Sequence, residues 1–139
     1  MNPDKTAIVL FAHGARDPDW ALPFRKIQRA LETRGAGTPV ELAFLELMPP
    51  SLNEAVARLA ARGSERITLV PLFMAQGGHL KHDLPLLLDR VRAENPGVSL
   101  RVTPAIGDVD QLLAVIADWI AAEHAAGIAS GIGFENPVA

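Results

Sequence analysis

Short apolar runs alternate with longer helical patterns along the chain. Four runs predict strands, at residues 6–12, 40–46, 66–73 and roughly 99–105. The first and third runs are apolar at nearly every position, which is typical of strands that are covered on both faces. A segment of helical periodicity follows each strand and predicts four helices, at residues 20–34, 51–63, 83–95 and 108–125.

Polar residues mark where three of these helices are expected to begin. Ser51 precedes Glu54 by three positions, which predicts a capping box in which each side chain satisfies a backbone N–H of the other residue. Asp108 and Gln111 repeat this spacing at the fourth helix. Asp83 is predicted to be the N-cap of the third helix.

Four strand-then-helix units predict an α/β fold, with one four-stranded parallel sheet and helices on both faces. We expect the strand order 2-1-3-4, because it creates a switch point between strands 1 and 3. Pro71 cannot donate a ladder hydrogen bond, so it is expected at the exit of the third strand. The domain is predicted to span residues 1–126, and residues 127–139, which lack periodicity, are expected to form a flexible tail.

Length and composition narrow the function classes. A chain of 139 residues is expected to form one domain. The formal net charge of -3 argues against a general nucleic-acid binder, since such domains are usually basic. The absence of cysteine excludes disulfides, thiolate metal sites and a cysteine nucleophile. A metal ion would therefore need His, Asp, Glu or water as ligands.

The N-terminal sequence favours a protein that acts in the cytoplasm. Residues 1–14 lack the positively charged start and the cleavage site of a signal peptide. The apolar run at residues 7–12 is far shorter than a membrane span. We therefore expect no membrane partner.

Polar and glycine residues lie at, or shortly after, the predicted end of every strand. They are His13 and Gly14, then Glu46, then Gln76, Gly77, Gly78 and His79, and finally Gly107 and Asp108. In open parallel sheets, ligands bind just beyond the carboxyl ends of the strands. The sequence therefore predicts a binding site at this edge.

Two of these residues suggest metal chemistry. With strands 1 and 3 as neighbours, His13 and His79 would face each other across the switch point. Two neutral imidazoles with the carboxylate of Glu46 suit Co²⁺, Ni²⁺, Fe²⁺ or Zn²⁺ better than Mg²⁺ or Ca²⁺, which prefer oxygen ligands. Two or three protein ligands leave coordination positions open, so such a site is able to pass its metal on. Each side chain taken alone also fits an ordinary loop or strand-end residue.

Other chemistries find less support in the sequence. Ala12 stands where a histidine phosphatase would need the arginine of its RHG motif. No GxGxxG follows the first strand, and neither a Walker A motif nor a serine nucleophile elbow is present.

Three motifs resemble the short sirohydrochlorin chelatases of the CbiX type. They are AIVLFAHGARDP (7–18), VELAFLELMPPSLNEA (40–55) and ITLVPLFMAQGGHLKHDLP (67–85). The resemblance continues more weakly to about Ala126, and a proline in the third strand is usual in the family. Ala15 departs from the pattern, because many relatives carry serine there.

The resemblance implies a chelatase of the lyase class that inserts a divalent metal into sirohydrochlorin without ATP or an organic cofactor. Cobalt or iron would be the metal, with nickel as a third candidate, in cobalamin or sirohaem biosynthesis. His13 and His79 match the family's metal ligands, and Glu46 matches a carboxylate in its cleft that acts as ligand or base. Long members of the family contain two α/β halves, so this half domain is expected to form a homodimer around the tetrapyrrole.

The substrate of such a chelatase carries many carboxylates, so cations near the site are candidates for binding it. Arg16, Lys81 and His82 flank the two histidine loops, although each also fits a solvated surface charge. The remaining substrate-binding candidates are the loop residues Gly14, Gln76, Gly77 and Gly78. Two alternatives stay open, a metal or tetrapyrrole carrier without turnover and a small hydrolase that uses the histidines as acid and base.

Overall fold

The structure is a computed structural model that describes residues 4–35 and 37–134. The chain divides into two compact units, the first ending at Asp108 and the second starting at Val109. The first unit contains the whole sheet and the residues of the predicted site.

The first unit is built on four parallel strands, β1 (Thr6–Ala12), β2 (Val40–Phe44), β3 (Arg66–Pro71) and β4 (Ser99–Val102). Their order is β2-β1-β3-β4, which confirms the predicted α/β sheet and its switch point between β1 and β3. We call the loops that follow the carboxyl ends of these strands the carboxyl edge.

The last three strands end two or three residues earlier than the sequence pattern predicts. Glu46 and Phe73 therefore lie in loops of the carboxyl edge and not in strands. Pro71 is the last residue of β3, as expected for a residue without an N–H.

Three helices cover the sheet in the first unit, α1 (Leu22–Arg34), α2 (Leu52–Ala61) and α3 (Gly78–Glu94). Two short 3-10 turns, Pro18–Ala21 and Ile106–Asp108, precede α1 and follow β4. The Ser51 half of the predicted capping box of α2 is confirmed, because the Ser51 hydroxyl accepts a hydrogen bond from the Glu54 N–H at 3.2 Å. The reciprocal bond to the Glu54 carboxylate is not formed among the described residues.

The predicted start of α3 at residue 83 is wrong. The helix begins at Gly78, after Gly77 in extended backbone, so Asp83 lies inside it and does not cap it. Burial explains the early start: Leu80 and Leu84 are one turn apart and both pack into the core. His79 and His82 consequently belong to the first turns of a helix and not to a loop.

The sheet is covered on both faces, as the apolar pattern of the first strand predicts. Alternate residues of β1 point to opposite sides, so Val9 and Phe11 join one buried cluster and Leu10 joins the other. The first cluster includes the apolar faces of α2 and α3. The second includes side chains from α1 and the turn before it, among them Trp20 and Phe24.

In its described residues, 109–134, the second unit contains one helix, α4 (Asp110–Ser130). The predicted capping box of Asp108 with Gln111 is not formed, because the N-cap is Val109 and no side chain caps the helix. Asp108 instead belongs to the 3-10 turn after β4.

Helix α4 extends beyond the predicted end at residue 125. Residues 127–130, expected in a flexible tail, are helical up to Gly131, whose left-handed φ of 67° ends the helix. Residues 135–139 lie outside the described part of the chain, and the domain boundary at residue 126 stays a prediction. By length and composition alone α4 is able to span a membrane, a test that core helices of soluble proteins also pass.

The N-cap of α2 generates a stability prediction. Replacing Ser51 with Ala removes the acceptor for the Glu54 N–H, so we expect a loss of about 1 kcal/mol in the free energy of unfolding. Ser51→Asp keeps an acceptor oxygen at the same position and is expected to retain most of this stability. Urea unfolding measures both variants, and an equal loss in the two would contradict the capping role.

Candidate functional site

His13 lies at the centre of the carboxyl edge, directly after the last residue of β1. Its ring packs against the ring of Phe73, with 4.4 Å between centroids and 50° between planes. Its backbone oxygen accepts a hydrogen bond from the Glu46 N–H at 3.0 Å. His13 is therefore held between the exit of β2 and the exit of β3, while its side chain remains exposed.

Gly14 allows the exits of β1 and β2 to come this close. Its φ is +98°, and a Cβ at this position would overlap the backbone oxygen of Glu46 and lie 3.1 Å from its carbonyl carbon. A side chain is excluded both by the backbone conformation and by the contact. The structure thus gives Gly14 a role in shaping the site, and its predicted contact with substrate stays a prediction.

Glu46 lies in a tightly turned loop after β2. Its backbone oxygen accepts a hydrogen bond from the Met48 N–H at 2.9 Å, and Leu47 between them has a positive φ of 67°. The Glu46 side chain is exposed at the edge of the sheet. This placement fits a carboxylate that is available to solvent and to a ligand.

The exit of β3 contains a contact that the sequence analysis did not identify. Phe73 is 1% exposed and packs edge-on against Phe11, with ring centroids 5.6 Å apart. Its backbone oxygen accepts a hydrogen bond from the Gly107 N–H at 3.0 Å. The only signal in the sequence is an aromatic residue six positions before His79, which does not by itself indicate contact with His13.

His79 is the second residue of α3 and is exposed. His82 lies three positions later and is therefore its neighbour on the helix surface. No side chain caps this helix, and a Cβ on Gly77 or Gly78 would meet no atom within 4 Å. Among the described residues, the space that a side chain on either glycine would occupy is therefore open.

The predicted site residues all lie at or beside the carboxyl edge, but they do not form a closed metal site. His13 follows β1 and His79 follows β3, its neighbour in the sheet. In residues 4–35 and 37–134, no group of three or more His, Cys, Asp or Glu side chains is arranged to hold a metal ion. An ion bound by both imidazoles would need further ligands from water, substrate or another chain.

Charged and apolar side chains surround this edge. Arg16, Lys81 and His82 are exposed, and none takes part in an ion pair within the described residues. Large apolar side chains are also exposed in the loops after β2 and β3, with Leu47 and Met74 each 57% exposed. The exposed apolar side chains were not predicted from the sequence, because Leu47 and Met74 are close to runs that were assigned to buried strands.

Solved structures confirm the fold. A CbiX protein from Marinobacter aquaeolei VT8 is 35% identical, with a TM-score of 0.76 over 87% of this chain and 98% of that one. The sirohydrochlorin chelatase SirB from Bacillus subtilis subspecies spizizenii, solved with cobalt, is 24% identical, with a TM-score of 0.65 over 76% of this chain. This chain covers 45% of SirB, and that similarity supports the fold alone.

Two curated relatives are both named sirohydrochlorin cobaltochelatase. The sirohydrochlorin cobaltochelatase of Methanopyrus kandleri is 40% identical over 59% of this chain and 57% of its own length. That of Sulfurisphaera tokodaii is 35% identical over 78% of this chain and 85% of its own length. The match thus spans just over half of the first relative and most of the second.

The family model described as CbiX matches residues 7–123. This range includes the three motifs quoted above, His13, Glu46 and His79, and it confirms the resemblance that those motifs indicate. The chain therefore belongs to the CbiX family.

Proposed function

We propose that this chain is a sirohydrochlorin chelatase that inserts a divalent metal into the tetrapyrrole without ATP. The observation that carries the proposal is the placement of His13 and His79 after neighbouring parallel strands, on both sides of the switch point. The names of the curated relatives from Methanopyrus and Sulfurisphaera support the same activity. The proposed reaction takes place in the cytoplasm.

Two imidazoles suit a metal that must be released again. Neutral imidazole binds Co²⁺, Fe²⁺ and Ni²⁺, and a site with two such ligands leaves positions for the nitrogens of the macrocycle. His79 also lies at the N-terminus of α3, where the helix dipole places partial positive charge. This charge opposes tight retention of a cation and therefore favours its transfer.

Metal insertion releases two pyrrole protons, so the site needs a proton acceptor. Glu46 is exposed at the carboxyl edge, in the loop that is hydrogen-bonded to the His13 backbone. We propose Glu46 as the general base, with one of the two imidazoles as the alternative. Imidazole binds a metal ion through a nitrogen that carries no proton, so each of the two histidines would act as a neutral ligand.

The side chains around the site are both cationic and apolar, and the proposed substrate carries both carboxylates and an apolar macrocycle. We assign Arg16, Lys81 and His82, which are exposed, to its carboxylates. We assign Gln76, Gly77 and Gly78, which directly precede His79, to the same binding surface. The exposed side chains of Leu47 and Met74 offer an apolar surface to the flat macrocycle. These assignments extend the proposal from the metal to the tetrapyrrole.

We also propose that the active form is a homodimer. Within the described residues one chain offers fewer than three clustered metal ligands, and one four-stranded sheet has too short an edge to enclose a tetrapyrrole. A twofold-related copy would supply a second, identical edge and complete the cleft.

Cobalt is our first candidate for the metal and iron the second, with nickel as the third. The curated relatives are named cobaltochelatases, and SirB structures have been solved with cobalt and with Fe³⁺. Imidazole ligands accept all three metals, so supply in the cell, and not intrinsic affinity, would select among them.

A turnover assay distinguishes the proposed enzyme from a metal or tetrapyrrole carrier. When sirohydrochlorin and Co²⁺ are mixed with a small fraction of one equivalent of protein, we expect the absorbance change of complete insertion. A carrier would give at most one change per protein chain. A change that stops at the protein concentration would contradict catalysis.

Removing either proposed ligand should abolish most insertion. We expect His13→Ala and His79→Ala each to lower the rate by roughly 100-fold or more, since loss of an outer-shell partner alone costs about 10- to 100-fold. His124→Ala, in α4, is the control and should retain the wild-type rate. Circular dichroism checks that the fold is kept, and near wild-type insertion by either ligand variant would show the assignment to be wrong.

Sedimentation velocity combined with the assay tests the homodimer. The proposal predicts a dimer at the concentrations where insertion is measured, and a specific rate that falls when dilution dissociates it. A protein that sediments as a monomer while it keeps full specific activity would contradict the shared cleft.

A further inference from the structure

The orientation of the His13 ring is not set by a hydrogen bond. Across the described segments of the chain, neither imidazole nitrogen of His13 has a hydrogen-bond partner, and both therefore remain available. Metal-binding histidines usually donate their second nitrogen to a carboxylate or carbonyl, which fixes the ring. Here the contact that can take over this role is the packing of the imidazole against Phe73, at 4.4 Å between centroids.

Phe73 is itself firmly held. Its ring is buried and packs edge-on against Phe11, which lies in the middle of the core cluster between the sheet and α2 and α3. The neighbouring Leu72 N–H donates to the Phe11 oxygen at 2.7 Å, so the backbone before Phe73 is tied to β1. Edge-on aromatic pairs of this kind are favourable beyond the area they bury.

Gly107 contacts the backbone of the segment that contains Phe73. Its N–H donates to the Phe73 oxygen, and a Cβ on Gly107 would overlap the carbonyl group of Met74 and lie 2.8 Å from its Cα. The 3-10 turn after β4 therefore rests directly on the backbone of Phe73 and Met74. Any side chain at residue 107 would push this backbone away, and a close-packed interior transmits such a shift.

We infer that Phe73 and Gly107 are positioning residues for His13. Phe73 orients the imidazole through ring contact, and Gly107 allows the turn after β4 to fix the backbone that presents Phe73. The inference rests on the proposed function in one respect only, namely that the oriented ring binds the metal. Gly107 follows β4, a strand that supplies none of the proposed ligands. The inference therefore adds this strand to those that determine the geometry of the site.

Two variants and two matched controls test this inference. Phe73→Leu removes the ring, and Gly107→Ala forces the turn away from Met74. Phe44→Leu removes an equally buried phenylalanine that packs in the second core cluster, on the opposite face of the sheet. Gly97→Ala adds a Cβ that would meet no atom within 4 Å.

The first measurement is the NMR spectrum of the histidine ring protons in the metal-free protein, with His13 assigned by comparison with His13→Ala. Ring current from Phe73 should shift the His13 signals in the wild type. We expect Phe73→Leu and Gly107→Ala to move them and both controls to leave them nearly in place. The second measurement is insertion, for which we expect kcat to fall by roughly 10-fold or more in the two variants, with the tetrapyrrole KM little changed.

Unchanged His13 signals in Phe73→Leu would overturn the inference, as would an equal loss of kcat in Phe44→Leu. If Gly107→Ala does not fold, Phe73→Leu decides alone. A wild-type protein that binds metal without inserting it would contradict the proposed function. The His13 signals of Gly107→Ala, which keeps the Phe73 ring, would still decide whether the turn after β4 positions the imidazole.

Discussion

The parallel pairing of β1 with β3 is the constraint on which the candidate site depends. Residues from Thr6 to Phe11 are in register with residues from Arg66 to Pro71, so both strands end at the same edge. The chain leaves β1 towards β2 and leaves β3 towards β4, which opens a crevice between the two exits. The proposed metal ligands come from these two exits because the sheet topology places them there.

Backbone contacts at two glycines then give this edge its shape. Gly14 brings the exit of β1 against the loop that carries Glu46, and Gly107 brings the turn after β4 against the exit of β3. Both contacts leave no room for a Cβ, and each is accompanied by a backbone hydrogen bond that joins neighbouring exits. The loops after the four strands therefore support one another. The His13 ring packs against Phe73, which in turn packs against Phe11.

Features that depend on local pattern were predictable from the sequence, and features that depend on distant contacts were not. Strand periodicity and the strand–helix alternation predicted the sheet and the edge that carries the candidate site. The strand order was expected only because it creates a switch point, and the periodicity itself does not determine it. The start of α3 was placed too late because burial of Leu80 in the core, and not the local capping signal at Asp83, decides where the helix begins. The support of His13 by Phe73 joins residues 60 positions apart, and no short-range pattern records such a contact.

The proposed reaction requires that the two imidazoles bind one ion together. Titration of the protein with paramagnetic Co²⁺, followed by NMR of the histidine ring protons, tests this claim most directly. If His13 and His79 share one ion, their signals will shift or broaden together, over the same range of added metal. Loss of one signal without the other, or loss of the two at clearly different metal concentrations, would show that His13 and His79 do not share a site.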